Sequence, residues 1–148
     1  MGKVISRVVS DRESRAFRAY TTAIQVGDML CIDTAHDYKV VPMAAATDDA
    51  LFCGISQTEI KATEQDGDPV VVLIDGLIQI ALVSAIYLFG AGVKWYDAST
   101  LTADGNANTI GWIFDDNYAT RTSGLVRINV LMLSGCPTSA KLFDSASA

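Results

Sequence analysis

Histidine, cysteine pairs and long apolar runs are what this chain lacks. His36 is its only histidine. It lies in the polar, loop-like stretch "TAHDYK", where general burial trends favour a surface residue over a catalytic base. A His-Glu-x-x-His zinc site is therefore impossible, and no Gly-x-Ser-x-Gly nucleophile elbow occurs. Cys31, Cys53 and Cys136 are odd in number and far apart. They form no Cys-x-x-Cys pair and lack zinc spacing; two of them sit in apolar segments, as buried thiols of a reducing compartment do. No segment matches a membrane span. The longest apolar stretch, "PVVVLIDGLIQIALVSAIYLFGAG", is broken by Asp75, Gly76, Gln79 and Ser84, and its Val and Ile favour strands. The N-terminal "MGKVISRVVSDRESRAFRAY" lacks the apolar core and cleavage site of a signal peptide.

What is present is apolar and unevenly charged. Half of the 148 residues are hydrophobic, an excess that suggests a subunit burying area against copies of itself. Lys3, Arg7, Arg12, Arg15 and Arg18 are five of the 11 basic residues; with Asp11 and Glu13 they give the first 18 positions +3, leaving −9 on the rest of a chain of net charge −6. Val4, Ile5, Val8, Val9 and Phe17 are interleaved with these charges. A phosphate-binding tail would seldom carry so many β-formers, so a strand added to another protein's sheet edge is expected, with no nucleic-acid partner.

Helix signals are poor, and Gly, Asp, Asn and Thr punctuate the chain every eight to twelve residues, the rhythm of an all-β domain. Only "PMAAATDDA" and "VSAIYLF" suit short helices. "VVVLIDGLIQIAL" predicts a tight hairpin at Asp75-Gly76, because that dipeptide supplies positive φ angles. "LVRINVLML" alternates, with Val126, Ile128, Val130 and Met132 on one face and Arg127 and Asn129 on the other. In "FGAGVKWYDASTLT" the glycines at 90 and 92 lack the third glycine and following helix of a nucleotide loop, so they feed a strand, with Asp97, Ser99 and Thr100 as its turn.

The chain also repeats itself loosely, at spacings of about 55 to 65 residues: "VGDMLCID" with "AGVKWYDA", "LFCGIS" with "NTIGWIF", and "DPVVVLI" with "GLVRINV". A glycine inside a strand marks a bend or a close backbone approach. Asp75, Gly76, Gly92 and Gly111 are thus expected to be structural turns. The fold class is all-β, a small barrel or sandwich of two loosely repeated units. An extended basic arm (1–20) precedes the β domain (21–134), and a flexible tail (135–148) follows it.

"QVGDML", "LFCGIS", "DGDPVVVLIDGLIQIAL", "GAGVKWYDASTLT", "NTIGWIF" and "LVRINVLM" together resemble the capsid decoration, or cement, proteins of tailed phages and prophages, which carry a β-tulip-like domain. The resemblance covers about residues 24 to 133 and rests on glycine–hydrophobic patterns, not reactive residues. It implies a homotrimer on the outside of an assembled head, bridging neighbouring major capsid proteins against internal DNA pressure. It also implies synthesis in the host bacterial cytoplasm and residence on the virion.

No catalytic constellation stands out, and a non-enzymatic role without metal, cofactor or membrane partner is expected. "EQDGDP" (Glu64, Asp66, Asp68) lacks the later bidentate glutamate of a calcium loop and suits a polar turn. A carboxylate pair for glycoside hydrolysis stays open, because such residues meet only in the fold. Trp95 and Trp112 are expected in the core or at the trimer interface. If they were exposed in a groove, the alternative would gain: a phage fibre or tail β-domain that binds a host glycan.

Overall fold

The computed structural model describes residues 7–20, 23–61, 67–115 and 119–133. These carry nine strands: β1 (Arg7–Arg18), β2 (Met29–Asp33), β3 (Lys39–Pro42), β4 (Phe52–Ser56), β5 (Pro69–Ile86), β6 (Gly92–Asp97), β7 (Thr100–Ala103), β8 (Gly111–Ile113) and β9 (Thr120–Asn129). Among the described residues the helical pieces are short 3-10 turns, at 34–36, 46–51 and 130–132. The expected helix at "PMAAATDDA" is one of these. "VSAIYLF" instead continues a strand as far as Ile86.

β5 organises everything else. It is 18 residues long, against a usual three to ten, and it serves two groups of strands in turn within one nine-stranded sheet. The hairpin expected at Asp75-Gly76 does not form, and β5 runs straight through both residues. The reason lies in their neighbours. Asp75 faces Glu13 of β1 and Asn129 of β9, while Gly76 faces Asp11 and Ile128. A turn here would give up ladder bonds on both edges at once, and each buried backbone group left unpaired is costly.

A strand has only two edges, so double pairings fix the layout. Val72 and Leu73 pair with both β1 and β4, 75–79 lie between β1 and β9, and Ala81 pairs with both β7 and β9. One edge of β5 therefore carries β1 and then β7; the other carries β4 and then β9. The second half of β5 closes a small barrel through β7, β6, β8 and β9, and β9 pairs back to β5. The first half holds β4, β2, β3 and β1. This ring closes through the parallel bridge Ala19↔Val40, where Tyr20 N–H donates to Val40 O at 3.1 Å.

The loose sequence repeat is a repeat of topology. β2–β4–β5 is matched by β6–β8–β9, and the β2–β3 hairpin by β6–β7. In each half a buried aliphatic residue faces a strand glycine, Leu30↔Gly54 and Val93↔Gly111. Gly54 sits at φ +133°, and a Cβ there would meet Leu73 O at 2.1 Å. At Gly111 it would meet Val126 Cγ1 at 2.8 Å and Arg127 O at 3.0 Å. Gly111 and Gly92 are thus not turns. They open β8 and β6 where another chain segment lies too close for a side chain, which at Gly92 is the carboxylate of Asp104. The turn before β6 belongs to Gly90, and the one after it has Ser99 N–H donating to Asp97 Oδ1 at 2.9 Å.

The inward positions of both halves, from Ile24 and Phe52 to Ile110 and Val130, form one buried hydrophobic cluster. The expected boundary between arm and domain moves accordingly. Residues Arg7–Arg18 are a strand of the domain itself, antiparallel to β5. Val4 and Ile5 lie outside the described residues, as do the tail 135–148 and Glu64 and Asp66.

Candidate interaction surface

Alternation along three neighbouring strands builds one outer face. Gly111 and Ile113 of β8, Val126 and Ile128 of β9 and Ile78 of β5 are buried. Trp112, Arg127 and Leu77 therefore point outward, and they are cross-strand neighbours, Trp112↔Arg127 and Arg127↔Leu77. Arg127 donates to Asp75 Oδ1 from Nη2 at 3.0 Å and from Nε at 3.3 Å. The Nε of Arg12 lies 3.9 Å from the other oxygen of Asp75. The Asp75 side chain is only 15% exposed, so this pairing is worth more than an open surface ion pair. Beside it is a depression of about 180 Å³ lined by Arg12, Gly76, Leu77, Phe114 and Arg127.

An apolar patch adjoins this depression. Ile86, Leu88, Phe89 and Phe114 are exposed, and the rings of Phe89 and Phe114 meet at 5.3 Å between centroids. Their backbone is held firmly. Gly90 N–H donates to Ile113 O, Ile113 N–H to Ala91 O and Phe114 N–H to Leu125 O, each at 2.8 Å. Close by, Arg121 donates to Asp115 Oδ1 at 2.5 Å and to Tyr87 O at 2.9 Å, and Leu125 N–H donates to Asp115 Oδ2 at 3.0 Å. Tyr87 is buried with its hydroxyl on Val83 O, and burial raises its pKa. A surface whose aromatics rest on such a base loses little freedom on binding.

No known protein family matches this chain, and no curated protein does. The surface must speak through its own chemistry.

The residues expected to add a strand to another protein's sheet edge, in the resemblance a capsid protein's, are divided by the structure. Arg7, Val8 and Val9 belong to β1 by their backbone. Arg12, Arg15 and Arg18 are exposed, while Phe17 packs against the core. Arg15 is held by Glu13 at 2.7 Å. β1 is thus added to its own sheet and is not a free strand for another. Among the described residues its outer edge pairs with nothing else beyond the bridge at Ala19. Its three register shifts and its run of charges are the features that discourage edge-to-edge pairing.

Of the two tryptophans, Trp95 packs against the core with its indole N–H buried. Trp112 is half-buried on the outer face, and neither lines the depression. Sequence reasoning missed the roles of Phe89, Phe114, Arg121 and Asp115. The alternation of β9 does signal Arg127 as outward-facing, but its partner Asp75 was assigned to a turn.

Other reactive groups are quiet. Cys31 and Cys53 are buried free thiols; burial, then the nearby Asp48 and Asp33 carboxylates, pushes Cys31 up to about 12, which suppresses its nucleophilic form. His36 Nδ1 lies 2.8 Å from Asp33 Oδ2, and its ring stacks on Tyr20 at 4.0 Å. Among the described residues no group of three or more His, Cys, Asp or Glu could hold a metal ion, and no helix is long and apolar enough to cross a membrane.

Proposed function

We propose that this chain is a structural virion protein, a capsid decoration protein that binds the outside of an assembled phage head as a homotrimer and bridges major capsid proteins. The observation that carries the reading is the rigid, exposed aromatic and aliphatic patch of Ile86, Leu88, Phe89 and Phe114, with Trp112 and Arg127 on the same sheet. Phe, Trp and Arg are the residues that interfaces concentrate. The all-β fold and the glycine–hydrophobic strand series agree with the family resemblance. The exposed Arg12, Arg15 and Arg18 of β1 supply charge to orient an encounter.

Binding only the assembled lattice stabilises that lattice by mass action, and a trimer spanning subunit boundaries engages several anchors together. The alternative, a fibre or tail domain reading a host glycan, draws less support, since Trp95 faces the core and Trp112 lies outside the depression.

Two measurements test the proposal. Light scattering should report a trimer at micromolar concentration, with each subunit burying on the order of 800 Å². Electron micrographs of heads incubated with the protein should show added density at local three-fold positions. A stable monomer together with undecorated heads would overturn the reading.

A further inference from the structure

The depression between β1, β5 and β9 holds two guanidinium groups and one carboxylate. Arg127 spends two donors on Asp75, and Arg12 faces the same carboxylate only from 3.9 Å with its side chain 69% exposed. Arg12 and Arg127 against Asp75 leave one positive charge in the depression itself; on β1 beside it, Glu13 is matched by Arg15, and Asp11 accepts from Ser14 and Gln57. Its remaining walls are Gly76, Leu77 and Phe114, and Phe114 continues into Phe89. From these observations we propose that the depression is a docking site for an acidic segment of a partner protein, taking a carboxylate side chain on Arg12 and Arg127 and an adjacent apolar side chain on Leu77, Phe114 and Phe89.

The fit is chemical. A planar carboxylate matches the paired N–H donors of a guanidinium, and both arginines retain donors that Asp75 does not use. Bulky apolar groups next to the charges exclude water and strengthen the pairing. A nucleic-acid strand fits less well. Its successive phosphates would pass Asp75 and the acidic Asp11 and Glu13 of β1, whereas a single carboxylate meets only the arginines. The inference rests on this face alone and does not require the virion reading.

The test uses the full chain, labelled with nitrogen-15, and three probes: the peptide acetyl-Phe-Asp-Leu-Glu-Phe-amide, its Asn/Gln counterpart, and oligothymidine. The acidic peptide should shift the amide signals of Gly76, Leu77, Phe114 and Arg127 with a Kd on the order of 1 mM, and sodium chloride at about 0.5 M should weaken it. Arg12→Gln should weaken binding about threefold, as expected for an exposed charge pair. Asp75→Asn should tighten it, because the internal competitor for both arginines is gone; a merely structural role for these residues predicts no gain. Equal binding of the Asn/Gln peptide would leave only an apolar surface and overturn the proposal. So would preferential binding of oligothymidine at the same residues, shifts confined elsewhere, or no shifts at about 5 mM peptide.

Discussion

The two halves of the molecule share a topology but are closed differently. The second ring is sealed by an antiparallel ladder from Asp75↔Asn129 to Ile86↔Thr120, which shifts register once between Ala81 and Ala85, and by a short parallel pairing of β5 and β7 on the other edge. The first is sealed by β1, whose ladder to β5 shifts register three times, and by the single bridge Ala19↔Val40. Exposure differs too. Ile86, Leu88, Phe89, Tyr96 and Phe114, most of the large exposed hydrophobics, belong to the second ring. The half closed by β9 presents the sticky surface, and the half closed by β1 carries the charged edge.

The largest effect should come from removing β1. Deleting residues 1–18 strips β1 from the first half of β5 and bares the backbone donors and acceptors of that edge. The truncated chain should lose its cooperative unfolding transition or associate through the bared edge. Circular dichroism and a denaturation curve matching those of the full chain would show that β1 is dispensable to the fold, as a detached arm would be.

The strand glycines compare the two rings directly. Gly54→Val places a β-branched residue at φ +133° and a Cβ against the backbone of Leu73, so a loss above about 3 kcal/mol is expected from combined strain and clash. Gly111→Ala has no left-handed strain, and two of its three closest contacts, Val126 Cγ1 and Ile128 Cδ1, are side-chain atoms that can shift. It should cost about 1 to 2 kcal/mol, at the lower end for overpacked sites. Chemical denaturation midpoints check both; the reverse order would mean that the second ring, not the first, tolerates less intrusion.

These glycines also show what the sequence makes legible. The all-β class, the repeat, and the inward Val126, Ile128 and Val130 follow from periodicity, because burial on one face imposes a period of two. The Asp75-Gly76 hairpin does not, because local turn propensity is overruled when both edges of a strand are already claimed. The same limit hid the place of Arg7–Arg18. Its β-forming character was visible, but nothing local says whose sheet edge it will meet. Phe89 and Phe114 look like core residues by type, and only the packed structure leaves them outside.

Two ion pairs offer a finer contrast, one at the seam of the rings and one wholly in the second. Arg121 is 9% exposed in its side chain and binds both Asp115 and Tyr87 O, whereas Arg127 is 31% exposed and binds Asp75. Arg121→Ala takes the donor from Tyr87 O and the ion partner from Asp115, which is 33% exposed and keeps the Leu125 N–H, and should cost about 2 kcal/mol. Arg127→Ala leaves Asp75 with the exposed Arg12 and should cost about 1 kcal/mol. Thermal unfolding of the two variants reads the difference, and equal losses would show that burial does not separate these sites.

The smallest effect, and the most direct comparison of matching loops, concerns acid. Asp33 ends β2 and Asp97 ends β6, at corresponding points of the repeat. Asp33 is held below the usual carboxylate range chiefly by its hydrogen bond with His36, Asp97 chiefly by the backbone N–H of Ser99. A carboxylate whose folded pKa is depressed stabilises the fold above its unfolded pKa, near 4, and that contribution disappears as pH falls through the lower folded value. Asp97 is exposed and Asp33 partly so, and each effect is small. The two loops differ in what holds the carboxylate. Asp33 is held by a side chain that mutation can remove, Asp97 by a backbone amide that it cannot. Asp97→Asn and Asp33→Asn should each flatten the dependence of the thermal midpoint on pH below about pH 4, and His36→Ala should reproduce part of the Asp33 effect while leaving the Asp97 loop unchanged. If His36→Ala left the acid profile unchanged, Asp33 would be held low by the Ala35 N–H alone, and the two halves would hold their turns in the same way, through backbone amides.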